Sequence, residues 1–167
     1  LNPDVARGPD GKWVSAPAPT IHSLTYAELQ RYDVGRIRPG SEYAQRFPHQ
    51  KPVDGARIPK LDQLFGLAGS KVRFNIETKL TPQAPEETLP PQELARAVLA
   101  EVRQAGMQAR TSVQSFDWRT LQVVQREAPE IPTVYLTVEK GFMDSIQRDK
   151  PASPWTALLE YADPDGE

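Results

Sequence analysis

Apolar and polar residues alternate along residues 71–79, which is the pattern of a β-strand, because successive strand side chains point to opposite faces. One face receives the apolar residues Val72, Phe74 and Ile76, and the other receives Arg73, Asn75, Glu77 and Lys79. On a surface strand those charges are solvated. In a covered strand of an α/β sheet they need partners, a metal ion or a substrate. Helical patterns lie on both sides of the segment and favour the covered strand.

Helical patterns and turn signals divide the first half of the chain. Residues 1–20 are rich in Pro, Gly and Asp and predict an irregular loop with a short hairpin near Trp13. Thr25 and Glu28 fit a capping box, which predicts a short helix from Tyr26 to about Tyr32. Residues 36–57 return to loop, and Leu61, Leu64 and Phe65 recur at helical spacing.

The second half alternates helices and strands. An apolar stripe predicts a helix over residues 92–105, ended by Gly106, and Asp117 is placed to cap a second helix. Strands are predicted over residues 110–116 and 131–138, and a last helix over 142–147. Strands alternating with helices indicate an α/β fold with a parallel sheet.

Composition excludes several classes of function. The 167 residues are 38% hydrophobic and 25% charged, with 17 prolines and a net charge of −2, which describes a folded but loop-rich chain. The near-zero net charge gives no electrostatic basis for binding nucleic acid, and no apolar run reaches the roughly 18 residues of a membrane span. The absence of cysteine excludes disulfides and thiolate metal sites.

Candidate chemistry lies where the predicted strands end, because parallel α/β folds place their sites there. Glu77 and Lys79 end the first strand, and Ser115 and Phe116 end the second. A carboxylate can bind a divalent cation and a nearby lysine can neutralise a phosphate oxygen, although the two side chains could also pair with each other. No glycine-rich nucleotide loop and no Gly-x-Ser-x-Gly elbow occurs.

Two motifs in this order resemble the glycerophosphodiester phosphodiesterase family. They are Phe74-Asn75-Ile76-Glu77-Thr78-Lys79 and, some thirty-five residues later, Val113-Gln114-Ser115-Phe116-Asp117. Residues 23–29 and 57–61 also resemble the segments that precede the first motif in that family.

The resemblance implies a TIM-barrel enzyme that uses Ca²⁺ or Mg²⁺ to hydrolyse glycerophosphodiesters to glycerol 3-phosphate and an alcohol. It places a metal ligand at Glu77, a phosphate-binding residue at Lys79 and a residue lining the glycerol pocket at Phe116. The family's paired catalytic histidines have no counterpart, because His22 and His49 do not occupy matching positions. No catalytic residue is therefore assigned in this chain.

These differences from the family pattern predict a partial barrel of about three βα units. Residues 1–57 are expected to form a loop-rich insertion with a short helix, residues 58–140 the central βα units, and residues 141–167 an irregular end. The chain is expected to begin just after the family's second histidine and to be inactive alone.

The expected partners are the glycerophosphodiester substrate and either a second copy of the chain or the rest of the same barrel, because three strands leave an open sheet edge. A periplasmic or secreted location is expected from exported bacterial members, with the cytoplasm left open. The alternative function is a non-catalytic binding or assembly module in which Glu77 and Lys79 form a structural pair.

Overall fold

Two units make up the chain, residues 1–60 and residues 61–167. The structure is a computed structural model that describes residues 1–67, 69–140, 143–148, 150 and 152–157. Residues 163–167, part of the turn-rich end expected from the sequence, lie outside the described residues.

The first unit is mostly loop, with helices α1 (Tyr26–Leu29) and α2 (Glu42–Arg46). The predicted capping box is confirmed, because the Thr25 hydroxyl accepts the Glu28 N–H while the Glu28 carboxylate accepts the Thr25 N–H. Helix α1 ends at Leu29, so the prediction that it reaches Tyr32 was too long. Helix α2 was not predicted, although Ser41 caps it by accepting the Ala44 N–H.

A polar network holds this unit together. Residues 1–60, all of which the structure describes, bury only two apolar side chains, Ala6 and Leu29. The Asp33 carboxylate accepts the backbone N–H groups of Gly35 and Gly55, both at 2.9 Å, and pairs with the Arg7 guanidinium. These bonds lower the pKa of Asp33 from 3.8 to about 2, the two backbone N–H groups being the main cause.

Gly35 is required by close backbone packing. The Val53 N–H donates to the Gly35 carbonyl at 2.8 Å, and a Cβ at position 35 would lie 1.8 Å from the Val53 carbonyl oxygen. The glycine lets two loop segments approach each other.

The second unit alternates helices and strands as the sequence predicts. Its elements are α3 (Leu61–Leu67), β1 (Phe74–Glu77), α4 (Pro91–Gln104), β2 (Thr111–Ser115), α5 (Trp118–Glu127), β3 (Thr133–Tyr135), β4 (Glu139–Lys140) and β5 (Met143–Asp144). Strands β1, β2 and β3 form a parallel sheet in that order, with Glu77 opposite Gln114 and Ser115 opposite Tyr135. The predicted α/β class and parallel sheet are confirmed.

One face of this sheet is buried against α4 and α5. The side chains of Val113 on β2, Leu99 on α4 and Leu121 on α5 are essentially inaccessible to solvent and lie in one apolar cluster. Helix α4 ends at Gln104, just before the predicted stop at Gly106, whose φ of +66° allows the Met107 N–H to reach the Val102 carbonyl at 2.9 Å. None of the helices in the described residues is long and apolar enough to cross a bilayer.

The opposite face of the sheet is polar and accessible. Asn75 and Glu77 on β1 are exposed, and Ser112 and Gln114 on β2 are partly exposed. The Asn75 side-chain amide donates to the Gln114 side-chain oxygen at 2.6 Å, and the Ser112 hydroxyl donates to Asn75 at 3.0 Å. The predicted division of β1 into an apolar and a polar face is therefore confirmed.

The predicted helix over residues 142–147 is wrong where the structure describes it. Met143–Asp144 is instead a strand that pairs antiparallel with Glu139–Lys140. The Asp144 carboxylate then accepts the N–H groups of Ile146 and Gln147, which forms a turn after the strand. Phe142, at which the predicted helix begins, lies outside the described residues.

The low pKa of Asp33 predicts acid sensitivity in the first unit. A carboxylate whose pKa is lower in the folded protein contributes stability above about pH 4, and this is lost as the pH falls through about 2. Asp33→Asn should lower the free energy of unfolding at pH 7 by about 1–3 kcal/mol and flatten its dependence on pH between 4 and 2. Denaturant unfolding across this pH range measures both effects, with Asp4→Asn as the control. An unchanged pH dependence in Asp33→Asn would contradict the assignment.

Candidate functional site

The carboxyl ends of β1, β2 and β3 open onto one cavity of about 480 Å³. The structure brings together all three residues to which the sequence assigned a site role, because Glu77, Lys79 and Phe116 line this cavity. The remaining lining residues are Thr78, Leu80, Thr81, Gln83, Glu87, Thr88, Val138, Met143 and Trp155. This is the edge at which parallel α/β folds bind their ligands.

Glu77 and Lys79 are both exposed side chains. Glu77 is the last residue of β1, and the alternation of the strand places its carboxylate on the open face of the sheet. Neither side chain forms an ion pair with the other or with any other described residue. A carboxylate and an ammonium group are thus free to bind a ligand in the cavity.

Thr78 lies between Glu77 and Lys79 in the sequence and is buried, with only 3% of its surface exposed. Its carbonyl oxygen accepts the Ser115 hydroxyl at 2.7 Å, and its own hydroxyl lies 2.7 Å from the Thr120 hydroxyl. The Thr120 hydroxyl donates to the Asp117 carbonyl at 3.0 Å, and the Asp117 N–H donates to the Ser115 hydroxyl at 3.1 Å. We call these four residues the hydroxyl ring.

Phe116 is held between two members of this ring, Ser115 and Asp117. Asp117 caps α5 as predicted, because its carboxylate accepts the Arg119 N–H at 3.2 Å. The same buried carboxylate pairs with the Arg119 guanidinium, and this hydrogen bond raises the pKa of Arg119. The turn that presents Phe116 to the cavity is therefore fixed on both sides.

An apolar wall completes the cavity, and the sequence interpretation missed it. Leu80 follows β1, Val138 follows β3, and Met143 and Trp155 come from the segment expected to be irregular. That segment is anchored, since the Trp118 N–H donates to the Trp155 carbonyl at 2.8 Å and the Ser153 hydroxyl donates to the Ser145 carbonyl at 2.6 Å. Residues separated this far in sequence give no periodic signal that would have placed them together.

Trp155 is a packing residue, with 3% of its surface exposed. Its indole N–H is buried and has no hydrogen-bond partner among the described residues. Trp118 is also buried, and its indole N–H donates to the Leu136 carbonyl at 3.2 Å.

The described residues do not by themselves fit a complete divalent-cation site. Ca²⁺ and Mg²⁺ prefer six or more oxygen ligands, usually with more than one carboxylate. Within the described part of the chain, no group of three or more His, Asp or Glu side chains is arranged to hold a metal ion. Glu77 can supply one ligand. His22 and His49 are exposed residues of the first unit.

The comparisons with known proteins agree on one family. The family model for the glycerophosphoryl diester phosphodiesterase family matches residues 3–151. A solved structure from Silicibacter pomeroyi DSS-3, provisionally named a glycerophosphoryl diester phosphodiesterase, is 33% identical with a TM-score of 0.74. The match covers 82% of this chain and 48% of that structure, so the chain spans about half of its length.

A second structure, of a glycerophosphodiester phosphodiesterase from Parabacteroides distasonis ATCC 8503, is 19% identical over 56% of this chain and 40% of that one. Its TM-score of 0.40 is too low to support an argument. Among curated proteins, none matches the chain. The family match over most of the sequence is decisive: the chain belongs to the glycerophosphoryl diester phosphodiesterase family.

Proposed function

We propose that this chain is part of a phosphoric diester hydrolase that cleaves glycerophosphodiesters to glycerol 3-phosphate and an alcohol. The observation that supports this most is the cavity at the carboxyl edge of the sheet, which is lined by Phe116 and by Glu77 and Lys79, neither of which has an ion-pair partner among the described residues. The family to which the chain belongs takes this substrate class and is generally dependent on divalent cations.

Each of the three residues has a distinct role in the proposed reaction. The Lys79 ammonium binds a phosphate oxygen and stabilises the charge that builds up on it as phosphorus is attacked. Phe116 packs against the glycerol end of the substrate and orients it. Glu77 contributes one oxygen ligand to the cation, Ca²⁺ or Mg²⁺, which when bound would neutralise further phosphate charge.

The remaining chemistry is proposed to come from outside residues 1–167. In-line attack at phosphorus is assisted by a general acid and a general base. The sequence has two histidines, and neither matches the positions at which the family carries its catalytic pair. The open face of the three-stranded sheet is consistent with a partial TIM barrel that is completed by further strands or by a second copy of the chain.

The alternative is a non-catalytic binding or assembly module in which Glu77 and Lys79 pair with each other. That reading requires an ion pair, and the described residues contain none between these two side chains. The hydrolase is therefore the better supported function. A periplasmic or secreted location stays a prediction.

Residues 1–167 expressed alone should not hydrolyse glycerophosphocholine in the presence of Ca²⁺ or Mg²⁺, because a general acid–base pair is missing. The protein expressed from its complete reading frame should do so. Release of choline, followed with time, measures both. Multiple turnovers by residues 1–167 alone would contradict the assignment of the catalytic groups to other sequence.

In the protein from the complete reading frame, Glu77→Gln should weaken binding of Ca²⁺ or Mg²⁺ roughly tenfold or more, since a neutral amide replaces a charged ligand. Calorimetric titration in the presence of glycerol 3-phosphate measures this affinity without requiring turnover. Glu86→Gln is the control, because Glu86 is exposed in the neighbouring turn and does not line the cavity. Equal affinities of Glu77→Gln and the unmodified protein would favour the binding module.

Lys79→Met should lower kcat/KM for glycerophosphocholine by about 10²–10³, the usual effect of removing one group that stabilises a developing oxyanion. Lys71→Met removes an exposed lysine that precedes the opposite end of β1 and should have little effect. Steady-state kinetics of both variants measure the difference. The phosphate-binding role of Lys79 fails if the two variants have the same kcat/KM.

A further inference from the structure

We propose that the hydroxyl ring of Thr78, Ser115, Asp117 and Thr120 is a positioning device for the cavity, and that Ser115 and Thr120 are positioning residues of the enzyme. The inference rests on the proposed function for the roles of Glu77, Lys79 and Phe116. It adds a reason why these three side chains are held in fixed positions relative to one another.

Hydrogen bonds link all four members of the ring. The Thr120 hydroxyl is within hydrogen-bond distance of the Asp117 carbonyl at 3.0 Å and of the Thr78 hydroxyl at 2.7 Å, where either hydroxyl can donate. The Thr78 hydroxyl also lies 3.5 Å from the Gln114 carbonyl. Ser115 donates to the Thr78 carbonyl and accepts the Asp117 N–H. The three hydroxyls thus close a cycle through the backbone.

Every member of this cycle is shielded from water. Ser115, Asp117 and Thr120 are 0% exposed, and Thr78 is 3% exposed. Water cannot replace a broken bond there, so loss of one hydroxyl leaves a buried donor or acceptor without a partner. The cycle should consequently be rigid and hold one arrangement.

Each candidate site residue is the direct chain neighbour of a ring member. Glu77 and Lys79 lie on either side of Thr78, and Phe116 lies between Ser115 and Asp117. The side chains of Glu77 and Lys79 have no partners of their own among the described residues. Their placement therefore depends on the backbone at Thr78, which also donates its N–H to the Gln114 carbonyl at 3.0 Å.

The ring also connects two elements that are far apart in sequence. It joins the end of β1 to the turn between β2 and α5, about forty residues later. A misplacement of about 1 Å in a catalytic group can cost on the order of 10² in rate. A buried cycle across this junction would hold the Glu77 carboxylate, the Lys79 ammonium and the Phe116 ring at fixed distances from one another.

A packing role and a positioning role for Thr120 predict opposite effects for two substitutions. Thr120→Val keeps the side-chain volume and removes the hydroxyl, whereas Thr120→Ser keeps the hydroxyl and removes a methyl group. Thr111→Val is the matched control, because Thr111 is a buried threonine at the other end of β2 whose hydroxyl has no partner in the described part of the chain. Ser115→Ala removes the hydrogen bond to the Thr78 carbonyl and replaces Thr120→Val in the experiment if that variant does not fold.

The experiment measures amide hydrogen exchange by NMR and kcat/KM for glycerophosphocholine in the protein from the complete reading frame. In Thr120→Val, exchange at the Thr78 and Asp117 amides should rise at least about tenfold and kcat/KM should fall about 10- to 100-fold. The Val113 amide should be unaffected. Thr120→Ser and Thr111→Val should resemble the unmodified protein in both measurements.

Two results would overturn the proposal. One is a larger fall in kcat/KM in Thr120→Ser than in Thr120→Val, and the other is an increase in amide exchange that is spread evenly along β1 and β2. If the unmodified protein does not hydrolyse the substrate, the proposed function fails. The exchange pattern then still decides whether the ring fixes the two motifs.

Discussion

The hydrogen bond from Ser115 to the Thr78 carbonyl, 2.7 Å long and fully buried, joins the two sequence motifs that define this chain. Strand pairing brings β1 and β2 together, but pairing alone ends at Glu77 opposite Gln114. Beyond that point, the hydroxyl ring fixes the chain. It explains why a serine lies between Gln114 and Phe116 and why a threonine separates Glu77 from Lys79, since both residues need a hydroxyl on the buried side of the sheet.

The two faces of the sheet divide stability from chemistry. The face against α4 and α5 carries the apolar core around Val113, Leu99 and Leu121, together with the ring. The other face carries Asn75, Glu77, Ser112 and Gln114, which are polar and accessible. The chain spans about half of a solved relative in its family. The strict period of two along β1 thus separates the groups that fold the protein from those available to a ligand.

Local patterns in the sequence were enough to predict the features that depend on contacts between near neighbours in the chain. The capping box at Thr25, the stop at Gly106, the cap at Asp117 and the alternation of β1 all depend on neighbours within a few residues. The family motifs located Glu77, Lys79 and Phe116. Features that depend on distant contacts could not be predicted this way, namely the β4–β5 hairpin, the apolar wall with Met143 and Trp155, and the approach of Gly35 to Val53. The ring belongs to both groups, since Thr78, Ser115 and Asp117 lie in the motifs whereas its bonds cross about forty positions and reach Thr120 in α5.

Glu77 and Lys79 are proposed to share one site at the carboxyl edge of the sheet. A crystal structure of the protein from the complete reading frame with Mn²⁺ and glycerol 3-phosphate, using the anomalous signal of the metal, tests this directly. We expect a Mn²⁺ peak at bonding distance from a Glu77 carboxylate oxygen, with a phosphate oxygen beside the Lys79 ammonium. A metal peak away from Glu77, with the phosphate outside the cavity lined by Phe116, would contradict it.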